Sequence, residues 1–322
     1  MKIEDRIYGA EVVNEGILED LINSPSVQRL KDISQLGMPD EYSKFKGFSR
    51  YEHSIGVMVL LRRLYAGLEE QVAGLLHDVS HTPFSHVIDW VFGDPSKEDY
   101  QDKVHKSFLK DSEIPLILKK HHFDLDKVSD YSHFKLLERE LPGLCADRLD
   151  YSIRQIGRGK NREIARQILN KLSVKDNQIV FLDENEAKIF GEKYMKLQKE
   201  QWAGDDMRSR YYIFSEVLKR AFDKNLISLG DLKKTEEPLL KILKDSQEEF
   251  IKERLNLLKN GFEVVPDELG IELKKKFRYV DPEVLINGSY LPLSRLSKEY
   301  SDLINQEKER SNEIKKIKIV PH

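Results

Sequence analysis

The stretch Ala73-Gly-Leu-Leu-His77-Asp78-Val-Ser-His81-Thr-Pro-Phe-Ser-His86 decides how this chain is read. Ala73–Leu76 ahead and Val79 behind form an apolar helical run, so His77 and Asp78 point into a core. Ionisable groups there are costly unless they are paired or bound to a cation. A lone His-Asp dipeptide is more often a satisfied core histidine. Two further pieces change the odds: Arg50-Tyr-Glu-His53, one helix upstream, and Cys145-Ala-Asp147-Arg148-Leu-Asp150-Tyr151, about seventy residues downstream. His53, His77, Asp78 and Asp147 all lie in apolar helical settings. Imidazole nitrogens and carboxylate oxygens suit one divalent ion: Mn, Fe, Ni, Zn or, less well, Mg.

Working outward, residues 1–16 read as a short extended ribbon. Ser24 caps a helix with Pro25 at its first position, and Gly37 closes it. Loop 38–50 delivers Arg50 to the His53 helix, and the His77 helix packs beside it. Pro83 breaks the His77 helix, so His81 and His86 are presented at a helix junction. A helix over 100–110 carries His105, residues 112–140 are helical in patches, and a helix over 143–156 carries Asp147. Residues 172–181 alternate and turn at Asp176-Asn177, which predicts a β-hairpin. Amphipathic helices over 183–202 and 206–224 follow, then short charged helices over 228–260. Strands are expected at Lys276–Val280 and Lys315–Val320, the second a lysine-protected edge. The chain therefore reads as mainly α, with a smaller α+β C-terminal region holding a hairpin and short strands.

Several stretches occur in a fixed order: Asn23-Ser-Pro, Gln28-Arg-Leu, Gln35-Leu-Gly, Arg50-Tyr-Glu-His53-Ser-Ile-Gly, His77-Asp78, His81-Thr-Pro-Phe-Ser-His86 and Asp147-Arg-Leu-Asp-Tyr151. The series resembles the HD superfamily of metal-dependent phosphohydrolases, and within it the deoxynucleoside triphosphate triphosphohydrolases, including the sterile-alpha-motif/HD enzymes. The likeness covers roughly residues 1–225. It implies an HD helical core over 1–170 with the metal on His53, His77, Asp78 and Asp147. A C-terminal region over 171–322 would pack on that core, its helix 206–224 completing the active site. The resemblance further implies that His81, His86 and His105 line a phosphate pocket into which Asp89 hydrogen-bonds, with His105 or His86 as general acid. Gln35 and Tyr151 match sugar-contacting positions. Arg50 and Arg148, with Arg208 or Arg210, would meet phosphate oxygens.

The implied activity is hydrolysis of a (deoxy)nucleoside triphosphate by a metal-activated water. One alternative is a binuclear phosphodiesterase acting on cyclic dinucleotides, because His77-Asp78, His105, His121-His122 and Asp147 resemble that ligand order. The Gly-Tyr-Pro signature of that group is missing after His122. A second alternative is a non-catalytic nucleotide- or RNA-binding scaffold. Asn23 and Lys31 stand where nucleotide-activated members carry an Asp and an Arg, so no guanine-nucleotide activation is expected. Near the N-terminus, Asp5-Arg-Ile-Tyr-Gly9 replaces the Asp-Pro-x-His-Gly common in the family, and Gln155 replaces an Asp at the 3′-hydroxyl position.

The 322 residues carry a net charge of −3, with 39% hydrophobic and 34% charged side chains. That balance supports a core and excludes a global basic field, so nucleic acid is not an expected partner. One cysteine, Cys145, leaves no internal disulfide and fits a reducing compartment. No signal-like or membrane-spanning run is seen. The expectation is a cytoplasmic protein with a nucleotide substrate, which the resemblance would make a dimer or tetramer.

Overall fold

The computed structural model describes residues 1–273, 277–312 and 315–322. Helices dominate. The His53 helix spans Arg50–Arg63 and the Asp147 helix spans Ala146–Ile156. Between them in sequence lie Leu68–Leu76, Val87–Phe92 and Tyr100–Lys110. Ser49 starts the His53 helix through a capping box: its hydroxyl accepts from the Glu52 N–H, and the Glu52 carboxylate accepts from the Ser49 N–H. This cap sets Arg50 in the first turn and His53 just behind it.

Gly56, one turn beyond His53, lets the Asp147 helix approach. A Cβ at Gly56 would stand 2.0 Å from both Asp150 Oδ1 and Arg154 Nη2, so only glycine fits. That close approach brings Asp150 to the His53 ring.

The hairpin forms as expected, from Leu172–Lys175 and Gln178–Phe181. Asp176 and Asn177 both have positive φ, 50° and 59°, the combination that a type I′ turn requires. Phe181 pairs in parallel with Val284, which extends the hairpin into a four-stranded sheet with Glu283–Ile286 and Ser289–Pro292. Lys316–Pro321 is a strand, paired antiparallel with Phe262–Glu272. Residues 277–280 are not strand, and Lys276, the first residue of that expectation, lies outside the described residues.

Two helix boundaries differ from the sequence reading. The helix begun at Ser24 runs only through Pro25–Arg29 and a 3-10 turn to Asp32, not to Gly37. Beyond it the Ser34 N–H donates to Glu236 and the Gln35 N–H to the Phe48 carbonyl, so long-range partners replace the helical ones. The helix before His77 ends at Leu76, well ahead of Pro83. There the His77 Nδ1 atom takes the Gly74 carbonyl, 2.7 Å away, that a continuing helix would use.

Two apolar clusters form the interior. The larger joins the first helices to the hairpin, helix Glu184–Leu197 and residues as late as Ile304. The smaller centres on helix Asp205–Asp223 and draws in Leu36, Tyr42 and Phe84. Residues on both sides of position 170 contribute to each. A cavity of about 420 Å³ opens where the clusters meet.

Candidate metal centre and cavity

His53 is fully buried, and both of its ring nitrogens are committed. Nδ1 lies 2.7 Å from Asp150 Oδ2, and Nε2 lies 2.9 Å from Asp147 Oδ1 and 3.1 Å from His77 Nε2. Since a carboxylate only accepts, Nδ1 carries a proton when the ring is neutral. His77 Nδ1 likewise donates to the Gly74 carbonyl. Two imidazole lone pairs and the Asp147 carboxylate therefore converge on one point, with His77 Nε2 and Asp147 Oδ1 3.4 Å apart.

Such a convergence of lone pairs is repulsive unless a proton or a metal cation sits among them. Ligand atoms about 2.1 Å from a common ion stand about 3.0–3.4 Å from one another, so His53, His77 and Asp147 fit. Asp78 joins at the edge: Oδ1 is 3.5 Å from His77 Nε2 and Oδ2 is 3.8 Å from His53 Nε2. Its Oδ2 is also held by Arg50 Nη1 at 2.5 Å. Burial lowers the His53 pKa, but the Asp147 and Asp150 carboxylates outweigh it and raise the ring to about 9. Burial alone would push Asp78 up, yet Arg50, His77 and His81 hold it well below the usual carboxylate range.

Asp150, to which sequence reasoning gave no role, holds His53 in place. It accepts from Tyr8 Oη at 2.8 Å and from Arg154 Nε at 2.7 Å, besides His53. Arg154 continues to Asp5 at 2.6 Å. The Asp5…Tyr8 segment, which departs from the family pattern, thus supports His53 from behind. The available signal was that Asp150 follows Asp147 by three positions, on the same helix face.

The other candidates divide into two groups. His81, His86, Gln35, Arg50, Arg148 and Tyr151 line the cavity. His81 Nε2 is 3.2 Å from Asp78 Oδ1, and burial together with the Arg50 charge lowers the ring to about 3. Arg50 donates from Nε to Ser85, from Nη1 to Asp78 and from Nη2 to the Gln35 carbonyl. Arg148 is held by the carbonyls of Gly143 and Arg139, by Cys145 and by Glu138. The side-chain oxygens of Gln35 and Gln155, both in the cavity lining, lack partners among the described residues.

Asp89, His105, Arg208 and Arg210 lie outside that lining. Asp89 accepts the Tyr100 N–H and stands 3.7 Å from His86 Nδ1. His105 sits one layer back, with Nδ1 2.8 Å from Ser80 Oγ and Nε2 bonded to the Tyr131 hydroxyl. Burial lowers it to about 4. Tyr131 itself lines the cavity. Arg208 pairs with Glu98 and lies over the Trp90 ring, while Arg210 pairs with Asp206 and the carbonyls of Tyr42 and Leu258. His121 is bonded to Asp20 at 2.7 Å and is not among the residues that line the cavity. The cavity wall also carries Trp202, Tyr211 and Arg278, none of which sequence reading singled out. Tyr151 and Trp202 meet edge to face, with ring centroids 5.1 Å apart.

Residues 50–154, which hold all four ligand candidates, match the HD domain family. The chain belongs to the HD-domain metal-dependent phosphohydrolases. A metal-dependent phosphohydrolase of Cordyceps militaris, cns2, is 34% identical over 307 residues, spanning 90% of this chain and 86% of that protein. The deoxynucleoside triphosphate triphosphohydrolase SAMHD1 of Bos taurus is 39% identical over 107 residues, 28% of this chain and 18% of its own. The solved structure of a phosphohydrolase from Bacteroides thetaiotaomicron shares the fold over 100% of this chain and 99% of its own, with a TM-score of 0.74 at 16% identity. Among the described residues no helix is long and apolar enough to cross a membrane.

Proposed function

We propose that this phosphohydrolase acts on nucleotides, as a (deoxy)nucleoside triphosphate triphosphohydrolase. The observation that carries the reading is the ligand cluster in a cavity that also holds imidazoles and an aromatic wall. The partial likeness to SAMHD1, over 107 residues, supports the same substrate class.

His53, His77, Asp78 and Asp147 would hold a divalent ion, which supplies positive charge to a phosphoryl oxygen and acidifies water. Asp150 fixes the tautomer and ring plane of His53. Arg50 pins Asp78 and adds a cation beside it. His81, kept neutral by burial, offers an imidazole to phosphate oxygens once it turns from Asp78. His86 has a half-buried side chain open to the cavity, and serves as the acid that protonates the leaving oxygen. Gln101 donates to Ser80, which leaves the Ser80 hydroxyl free to donate to His105 Nδ1. His105 Nε2–H then donates to the Tyr131 oxygen, and the Tyr131 O–H, which otherwise donates to the His77 carbonyl 3.3 Å away, can turn to substrate. In that arrangement His105 positions Tyr131. The unpartnered amide oxygens of Gln35 and Gln155 suit the donors of a sugar, and the Tyr151–Trp202 wall suits a base. The two-metal reading draws no support from the placement of His105 and His121, each already bound elsewhere.

A screen of all nucleoside triphosphates and of cyclic dinucleotides, run with Mn²⁺ and with product identification, tests the proposal. Release of nucleoside and tripolyphosphate is the expected outcome. Turnover of cyclic dinucleotides alone would replace it with the phosphodiesterase reading, and no turnover of any nucleotide would sink both.

A further inference from the structure

Three guanidinium groups reach the cavity, and they differ in how far the protein uses them. Arg50 donates from all three of its nitrogens to protein acceptors. Both terminal nitrogens of Arg148 are engaged, two acceptors each. Arg278 makes one hydrogen bond among the described residues, from Nη2 to Glu98 Oε2. Its Nε and Nη1 have no protein partner there, and its side chain is 21% exposed. Of the three, Arg278 alone has donors from two nitrogens to offer a ligand.

Charge points the same way. The Glu98 carboxylate is shared between Arg278 and Arg208, whose Nη1 is 3.1 Å away, so one carboxylate faces two guanidiniums. From the ligand cluster, hydrogen-bonding side chains lead outward: His81 beside Asp78, His86 with its ring centroid 5.5 Å from His81, then the Arg278 guanidinium beside Glu98.

The backbone that carries Arg278 is firmly held. Phe277 and Tyr279 stack at 5.8 Å, and Lys308 Nζ lies 4.2 Å over the Tyr279 ring. Val280 is fully buried, and its carbonyl accepts from the Tyr300 hydroxyl at 2.7 Å. The Asp281 N–H donates to the Pro142 carbonyl, and both Asp281 oxygens accept from Ser294. A long side chain is thereby delivered to the cavity from a fixed base, which limits the entropy lost on engaging a ligand.

We propose that Arg278 is a substrate-binding residue that takes a phosphate group other than the one at the His53–His77–Asp147 cluster, so that the enzyme favours nucleoside di- and triphosphates over monophosphates. The proposal rests on the nucleotide reading above and assigns selection by phosphate number to one residue of the C-terminal region. Arginine suits the task because its planar fork keeps its charge at any working pH and matches phosphate oxygens.

The test measures kcat and KM for the mono-, di- and triphosphates of one nucleoside, on metal-loaded wild type, Arg278→Ala and Arg278→Lys. Charge-assisted hydrogen bonds contribute about 1.5–3 kcal/mol, or roughly 10–100-fold in affinity. Arg278→Ala is expected to raise KM for di- and triphosphate by that factor and to leave the monophosphate within about threefold. Metal content should be unchanged, and lysine should restore part of the loss. If the preference among the three substrates is the same in Arg278→Ala as in wild type, Arg278 is only a counter-ion for Glu98 and the proposal fails. Should the alanine variant fold poorly, Arg278→Met keeps the packing of the stem and replaces it.

Calorimetry with inorganic tripolyphosphate separates this outcome from failure of the nucleotide reading. Even if no nucleoside phosphate is turned over, wild type should bind tripolyphosphate at least tenfold more tightly than Arg278→Ala. Equal binding, or none to wild type, overturns the proposal.

Discussion

Replacing Asp150 by Asn tests how far the metal centre depends on residues that never touch the ion. Asp150 is fully buried and takes three donors: Tyr8 Oη on Oδ1, and His53 Nδ1 with Arg154 Nε on Oδ2. An asparagine can turn its NH₂ toward Tyr8, whose hydroxyl also accepts, and keep its oxygen toward His53 and Arg154. The shape survives, and what disappears is the charge. Two charge-assisted bonds weaken to ordinary ones, and Arg154 keeps only Asp5 as a carboxylate partner. Breaking such a buried network is worth about 2–4 kcal/mol of stability. The effect on the ion is separate. Loss of a carboxylate behind a ligating histidine weakens metal binding about 10–100-fold, which is about 1.4–2.7 kcal/mol. Metal titration by calorimetry, with thermal unfolding in parallel, reads both. Turnover should recover at saturating metal, because the first ligands are intact. An Asp150→Asn protein with wild-type metal affinity would refute the claim that Asp150 tunes His53.

Two further predictions test other parts of the site. His105→Ala and Tyr131→Phe should each keep the metal and lower kcat by about 10²-fold, at the low end for acid–base assistance, and the double variant should lose little more. Full turnover in His105→Ala beside a loss in Tyr131→Phe would break the relay, and loss of metal in His105→Ala would make that histidine a ligand. Glu236, pushed up to about 7 by burial against the N–H groups of Ser34 and Phe84, makes stability depend on pH. Its folded pKa exceeds the unfolded value of 4.5, so the stability it lends is complete below pH 4.5 and is lost as pH rises through 7. Glu236→Gln should therefore gain on wild type between pH 5 and 8 by on the order of 2 kcal/mol, read from denaturant unfolding at each pH. Parallel curves for the two proteins would show that Glu236 is not held neutral.

Which residues were legible depends on whether their cause was local. The four ligand positions stood out because charged or imidazole groups interrupt apolar helical runs, a conflict that a cation resolves. The hairpin was legible because Asp and Asn tolerate positive φ at the two turn positions. The break at Ile33 was not legible, since Glu236, some 200 residues away, takes the Ser34 N–H. Arg208 and Arg210 were attractive as phosphate contacts because they open a helix. Carboxylates, a tryptophan ring and backbone carbonyls occupy them instead. Arg278 stands among many charged C-terminal residues with nothing local to mark it. Its anchors, Tyr300, Pro142 and Glu98, come from three distant segments. His105 was placed by its helix and its type, but a side chain one layer too deep looks the same in sequence.

The claim that everything else rests on is the single metal centre built by His53, His77, Asp78 and Asp147. Elemental analysis of the purified protein, after loading with Mn²⁺ and removal of free ion, tests it most directly when run beside His77→Ala. The account predicts one ion per chain in the wild type and none in the variant, with nucleotide hydrolysis lost alongside. A folded wild type that retains no divalent ion, or a His77→Ala protein that keeps its full complement, would contradict it.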